Sequence, residues 1–287
     1  MDFLKEYVQD EIYLRHALDE TPDGRGFDFH VHDKCEIFFF VSGSAEYLVE
    51  GSVYPLTKGS VLIMRPGEAH CIRILKPEKY ERYAVNFPIS MFDSIDPERM
   101  LTSIYTEREL GRKNLYFAPG LETVFEDMCR EYPDTYARKI KINVGILKIL
   151  DILANLYQNP ESENNEPGFE EQMVAYVNEH LFDAKDADSL AGHFFLSRSQ
   201  FGRVFKKATG ASPWNYIIAK RLIAAKNLID SGVSAKKAAE DCSFADYSSF
   251  YRAFVKKFGK SPTGPKKRSD HPTILPSSVR QAFPRFR

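Results

Sequence analysis

Two stretches near the C-terminal end of the chain repeat one alternation of apolar and polar positions. Phe201, Phe205 and Ala208 recur every three to four residues, as do Phe250, Phe254 and Phe258. That period places each set on one face of an amphipathic helix. The agreement extends beyond the aromatic stripe. Ser199, Phe201, Arg203, Phe205, Lys207, Gly210, Ser212 and Pro213 return 49 residues later as Ser248, Phe250, Arg252, Phe254, Lys256, Gly259, Ser261 and Pro262. Each copy ends at a glycine able to take the left-handed conformation that stops a helix, and Ser-Pro then opens the next element as cap and first residue. Upstream of each copy the pattern predicts a short helix, one of about two turns beginning with residues 188–191 and one over 235–241, followed by a turn at Phe195-Leu196 and at Ser243-Phe244. Ser197 and Gln200 form a capping box at the start of the second helix of the first pair, and Asp246 is the cap at the equivalent point of the second. Helix, tight turn, helix is the helix-turn-helix motif, present here twice.

The first half of the chain follows a different period. Between Phe27 and Phe87, short β-rich runs at 38–41, 46–49 and 61–64 are separated by Gly43, Gly51-Ser52, Gly59 and Pro66-Gly67. Even spacing of this kind predicts a small sandwich or barrel. From Pro97 to Tyr157 the pattern becomes helical, most clearly over 140–157, where Val144, Leu147, Leu150, Ile152, Leu153 and Leu156 supply the apolar positions. Residues 159–168, NPESENNEPG, are polar and bounded by prolines, as a linker is. The expected organisation is a two-domain α+β chain: a β-barrel with appended helices over 1–158, the linker, an all-α double helix-turn-helix domain over 169–268, and an irregular tail over 269–287.

Charge separates the same two halves. The formal net charge is −1, but from Asp183 onward there are 20 Lys and Arg against 8 Asp and Glu, leaving 19 against 32 before it. The basic part suits a polyanion and the acidic part repels one. The N-terminal residues mix Asp2, Lys5, Glu6, Asp10 and Glu11 among apolar ones, so neither a signal peptide nor a membrane span is expected. Cys35, Cys71, Cys129 and Cys242 form no CxxC pair, which argues for a reducing cytoplasm and against a disulfide framework.

If the aromatic stripes face a core, the opposite faces present Arg198, Ser199, Gly202, Arg203 and Lys206 in the first unit and Tyr247, Ser248, Tyr251, Arg252 and Val255 in the second. Arginine binds guanine edges or phosphates bidentately, serine and tyrosine donate to either, and tyrosine meets a thymine methyl. Lys206, Lys207, Lys256 and Lys257 are expected at phosphates. Double-stranded DNA is therefore the expected partner. Over about 182–267 these residues, together with Leu190-Ala191, Tyr216, Arg221-Leu222, Ala239 and Phe244, resemble the DNA-binding domain of AraC/XylS-type transcriptional regulators. The resemblance implies two helix-turn-helix units joined by a rigid helix over 213–229, inserting into consecutive major grooves about 34 Å apart. The chain departs from the family at Ser243, usually glycine, and at Ala235 and Ala238, usually larger aliphatics, all in the second unit.

His30, His32, Glu36 and His70 form the other constellation. The first three share a parity and project from one face of an extended chain, and a return strand after Pro66-Gly67 brings His70 opposite. Three imidazoles and a carboxylate are a competent set for a divalent first-row metal, and equally a set of hydrogen-bonding groups for an organic effector. The order Gly24, His30, His32, Glu36, Gly43 resembles the first motif of cupins. Gly59, Pro66, Gly67 and His70 approximate the second, with one extra residue before Pro66 and no asparagine after His70. The AraC-type resemblance implies an effector-sensing barrel, frequently for a carbohydrate, with no required cofactor. It also implies a dimerising helix, here 140–157, and activation through RNA polymerase. The expectation is a cytoplasmic, non-enzymatic, effector-responsive regulator. The rival reading is a metal-dependent cupin enzyme, a dioxygenase or isomerase, carrying a DNA-localising domain.

Overall fold

The computed structural model describes residues 2–24, 28–158, 166–184 and 186–264. Most of the expected linker and the whole tail from residue 269 lie outside the described residues. The chain forms two compact units. One takes Met1–Asp28, Lys34–Arg65 and His70–Pro167, and the other takes Phe29–Asp33, Pro66–Ala69 and the remainder from Gly168.

The first unit is a β-sandwich backed by helices. Its strands are β1 (Asp2–Gln9), β2 (Ile12–Asp19), β3 (Cys35–Ser42), β4 (Ala45–Val49), β5 (Ser52–Pro55), β6 (Ser60–Met64), β7 (His70–Ile74), β8 (Tyr80–Phe87) and β9 (Leu115–Phe117). Six form an antiparallel sheet in the order β1-β2-β8-β3-β6-β9, and three form a second in the order β5-β4-β7. Strand β3 (CEIFFFVS) is apolar at successive positions because both of its faces are covered. Ile37, Phe39 and Val41 point to the helical side, whereas Phe38 and Phe40 enter the layer shared with Tyr47, Val49, Leu62, Met64 and Tyr80. Glu36 shares the parity of Phe38 and Phe40, so the alternation alone aims its carboxylate between the sheets.

Helices α1 (Ser103–Thr106), α2 (Glu122–Met128) and α3 (Thr135–Gln158) close the other face of the larger sheet. Ile142, Ile146, Ile149, Leu150 and Leu153 of α3 are fully buried there with Phe39, Tyr83, Val85 and Phe125. A Cβ built at Gly145 would lie 2.4 Å from the Met128 Sδ, so the glycine is what lets α2 and α3 approach.

Several elements differ from the expectation. The hairpin β1–β2 precedes the region read as β-rich, and reverses through Asp10 (φ 50°) and Glu11 (φ 68°). A two-residue turn with both residues left-handed is the hairpin type that normally advertises itself by Asn-Gly or Asp-Gly, and neither dipeptide is here. Strand β9 and the 3₁₀ turn Pro119–Leu121 interrupt the stretch from Pro97 to Tyr157 read as helical, and another 3₁₀ turn, Ile89–Phe92, precedes it. The long helix α3 starts at Thr135, ahead of the expected Ile140.

The second unit is helical: α4 (Phe169–Glu179), α5 (Ala187–His193), α6 (Arg198–Thr209), α7 (Pro213–Asp230), α8 (Ala235–Asp241) and α9 (Tyr247–Phe258). Phe201, Phe205, Tyr216, Ile217, Ile223, Phe250 and Phe254 form its core, joined by Val31 and Ala69 from the two short segments. Asp186, Ser197, Ser212, Ser234 and Asp246 each cap a helix by accepting the backbone N–H three residues on. Gly210 (φ 81°) and Gly259 (φ 68°) end α6 and α9 in the left-handed conformation.

Candidate functional site

Helices α5 and α6 make the first helix-turn-helix and α8 and α9 the second, with α7 between them. The aromatic stripes are inside, as the periodicity requires: Phe201, Phe205 and Phe250 are fully buried. The opposite faces are open. Arg198, Ser199, Arg203 and Lys206 of α6 are exposed, and a Cβ at Gly202 would meet nothing within 4 Å, so a duplex can approach the backbone closely there. On α9, Tyr247, Ser248, Tyr251, Arg252 and Lys256 are exposed, the two tyrosines at 42% and 41% despite their size.

Part of each face is held in position. Arg198 Nη1 lies 3.4 Å from the Asp188 carboxylate on α5, an exposed pair that orients the side chain more than it stabilises the fold. Arg252 Nη2 donates to Ser249 Oγ at 3.2 Å. Lys257 does not belong to the outer face. By the 49-residue offset it matches buried Ala208, and its ammonium donates to the Val31 carbonyl at 2.9 Å. Expected at a phosphate, it is a packing residue on the inner side of α9.

The frame beneath these faces is anchored by buried cations. Arg221 of α7, 3% exposed, donates from Nε to the Leu181 carbonyl at 2.7 Å, from Nη1 to the Ser243 carbonyl at 2.8 Å and from Nη2 to the Ala184 carbonyl at 3.2 Å. One guanidinium thus fixes the turn of the second unit against the segment after α4. Lys220 Nζ similarly donates to Asn178 Oδ1 at 2.8 Å and to the Tyr216 hydroxyl at 3.1 Å.

The two units are not identical in their turns. The N-caps Asp186 and Ser234 are 48 residues apart, whereas Ser197 and Asp246 are 49 apart. The second turn therefore holds one more residue. Phe195 (φ 54°) and Ser243 (φ 58°) occupy the same left-handed position in the two turns. Ser243 adopts there the conformation for which glycine is the unstrained residue.

The second constellation is divided between the two units: Glu36 and His70 lie in the β-rich unit, His30 and His32 in the other. Glu36 Oε2 is 3.5 Å from His70 Nε2 and accepts from Asn86 Nδ2 at 2.9 Å, its cross-strand neighbour on β8. His70 lies against the Tyr47 ring, centroids 5.9 Å apart. Burial, and then the Glu36 charge, push the Tyr47 hydroxyl well above its ordinary pKa, so it remains a hydrogen-bond donor. Three imidazoles with a carboxylate fit a divalent first-row ion by donor chemistry. Burial pushes the Cys71 thiol up to about 11, and Cys35 packs on the helical side of β3. Asn86 and Tyr47 escaped the sequence reading. Their signal is the register of β8 and β4, which no local pattern supplies.

Comparison with known proteins matches both units. A model described as "AraC-like ligand binding domain" matches residues 16–137, and one described as "Helix-turn-helix domain" matches 190–268. The HTH-type transcriptional activator RhaS of Escherichia fergusonii is 24% identical over 254 residues, covering 84% of this chain and 87% of that one. The structure of ToxT from Vibrio cholerae aligns over 88% of this chain and 97% of its own at 15% identity and a TM-score of 0.42. The DNA-binding domain of AdpA, solved with a target DNA, aligns over 32% of this chain and 83% of its own at 30% identity and a TM-score of 0.30. With an AraC-like ligand-binding domain ahead of two helix-turn-helix units, the chain belongs to the AraC-type transcriptional regulators.

Proposed function

We propose that this protein is an effector-responsive activator of transcription that binds double-stranded DNA as a homodimer and is not an enzyme. Helices α6 and α9 read two successive major grooves, with Arg203 and Arg252 at base edges or phosphates and Lys206 and Lys256 at phosphates. The observation that carries this reading is the pair of equivalent, independently capped helices, each with its aromatic face buried and its polar face open. Among the described residues no helix is long and apolar enough to cross a membrane. A dimer is supported by α3, where Tyr136, Ile140 and Val144 follow one another at four-residue spacing and are exposed at 73%, 45% and 41%. RNA polymerase is the partner that an activator requires.

The effector is a small polar molecule held by His30, His32, Glu36 and His70 with Asn86. Carboxylate, amide and imidazole groups beside the Tyr47 ring suit the hydroxyls and apolar face of a carbohydrate. The same four donors favour a second reading in which a divalent metal occupies them, because three imidazoles and a carboxylate are a competent ligand set. A metal bound there would crosslink the donors.

The test is fluorescence anisotropy of a duplex selected by this protein from a random-sequence pool, titrated with a panel of monosaccharides and with Zn²⁺. A shift in DNA affinity on adding one of them, absent in the Glu36→Gln variant, supports the reading. Salt-sensitive binding without sequence preference, indifferent to every addition, contradicts it.

A further inference from the structure

Two arginines stand side by side on the inner face of the larger sheet, wholly within the first unit. Leu14 of β2 and Tyr83, Val85 and Phe87 of β8 point to the helices. Alternation therefore turns Arg15 and Ala17 of β2, and Tyr80, Arg82, Ala84 and Asn86 of β8, toward the space between the sheets. The register sets Arg15 across from Ala84 and Arg82 across from Ala17. The arginines are thus diagonal neighbours, about 7–8 Å apart in such a ladder, and each faces a methyl group where a larger side chain would fill the space between them.

Both guanidinium groups are oriented by a tyrosine of their own strand. Arg82 Cζ lies 4.5 Å from the centroid of the Tyr80 ring, and Arg15 Cζ lies 5.6 Å from that of Tyr13. Arg82 is 2% exposed whereas Arg15 is half-buried, so solvent reaches the first arginine of the pair and not the second. Burial, opposed by Tyr80 and reinforced by the Arg15 charge, lowers the Arg82 pKa. Asp19, across from Tyr80, offsets part of that repulsion, and Glu36 stands at the other end of the row beside Asn86. An anion between the two forks would relieve the rest and accept paired hydrogen bonds from either.

We propose that the effector carries an acid group: it is a hydroxylated carboxylate of the sugar-acid class, with its carboxylate between Arg15 and Arg82 and its hydroxyls toward Glu36 and Asn86. The hydroxyls find both an acceptor and a donor there, since Asn86 Nδ2 and Glu36 Oε2 are themselves joined at 2.9 Å. Arg15 meets the ligand first and Arg82 holds it within. This inference rests on the reading of the β-rich unit as an effector sensor and names the chemistry it selects.

Calorimetric titration of the full-length protein with hexuronates and aldonates, each beside the uncharged hexose or alditol of the same carbon skeleton, tests it. At least one acid is expected to bind at least about tenfold more tightly than its uncharged counterpart, the low end for a hydrogen bond to a charged group. Arg15→Gln and Arg82→Gln are each expected to erase most of that preference while a thermal melt shows the protein folded. Arg15, being half-buried, carries the test if the Arg82 variant does not fold. An uncharged counterpart bound as tightly as its acid, or a preference undiminished in every folded arginine variant, overturns the acid group and leaves the effector site standing. Binding of no member of the panel overturns the carbohydrate reading and the acid group with it.

Discussion

In the first helix-turn-helix unit the open face of α6 carries Arg198, Ser199, Gly202, Arg203 and Lys206; in the second, α9 offers Tyr247, Ser248, Tyr251, Arg252 and Lys256. The buried faces agree at Phe201 and Phe250 and at Phe205 and Phe254, and both helices end at a left-handed glycine. Packing and termination have held the scaffold constant while, position for position, Arg198, Gly202 and Lys206 gave way to Tyr247, Tyr251 and Val255. The first face is built mainly for charge and close approach, and the second for apolar and hydroxyl contact with base edges. The inner faces differ at Val204 and Ala253, at Ala208 and Lys257 and at Thr209 and Phe258, and Lys257 is where Phe29–Asp33 meets α9.

The largest expected effect concerns what the two units share. Arg221→Met leaves the carbonyls of Leu181, Ala184 and Ser243 without their donor. The loss is expected to be about 3 kcal/mol of unfolding free energy in a urea titration. If the second unit depends more on this anchor, its amides should lose exchange protection before those of α6.

Next come the reading residues themselves. Arg203→Ala and Arg252→Ala should each weaken binding to a selected duplex by about 1–3 kcal/mol and relax sequence preference at different half-sites. The contrast between the faces appears in the salt dependence. Lys206→Ala should lower the slope of log affinity against log salt by about 1, and Tyr251→Ala should leave that slope unchanged while sequence preference falls. Equal slopes for the two variants would erase the proposed difference.

The smallest effect separates the caps. Ser197 caps α6 with a hydroxyl and Asp246 caps α9 with a carboxylate. The Ser249 backbone N–H, followed by the Ser249 hydroxyl, holds the Asp246 carboxyl below its ordinary 3.8. A carboxyl lowered on folding stabilises above its unfolded pKa, and that contribution vanishes as pH falls through the lower folded value. Acidification below pH 3.8 should therefore fray α9 at its N-terminus and spare that of α6, as read by exchange-resolved NMR. Ser197→Ala should cost about 1 kcal/mol at any pH.

Much of this architecture was legible where local rules govern it. The helix over 235–241, the caps at Ser197 and Asp246 and the two terminating glycines follow from period and capping chemistry, and the structure has them at those residues. What escaped depends on partners distant in sequence. The β1–β2 hairpin was hidden because Asp10-Glu11 lacks a turn signature. Lys257 stands next to Lys256 in the chain and was grouped with the phosphate-binding lysines, although the repeat aligns it with buried Ala208 and its ammonium meets the Val31 carbonyl. Asn86 and Tyr47 reach Glu36 and His70 through strand register alone.

The central claim, that two units read two successive grooves, is tested most directly by footprinting the purified full-length protein on genomic DNA at physiological salt, with Arg203→Ala and Arg252→Ala alongside. The account predicts protected sites made of two segments about one helical turn apart, with each variant losing a different segment. Protection of a single segment, or loss of the same segment in both variants, would contradict it.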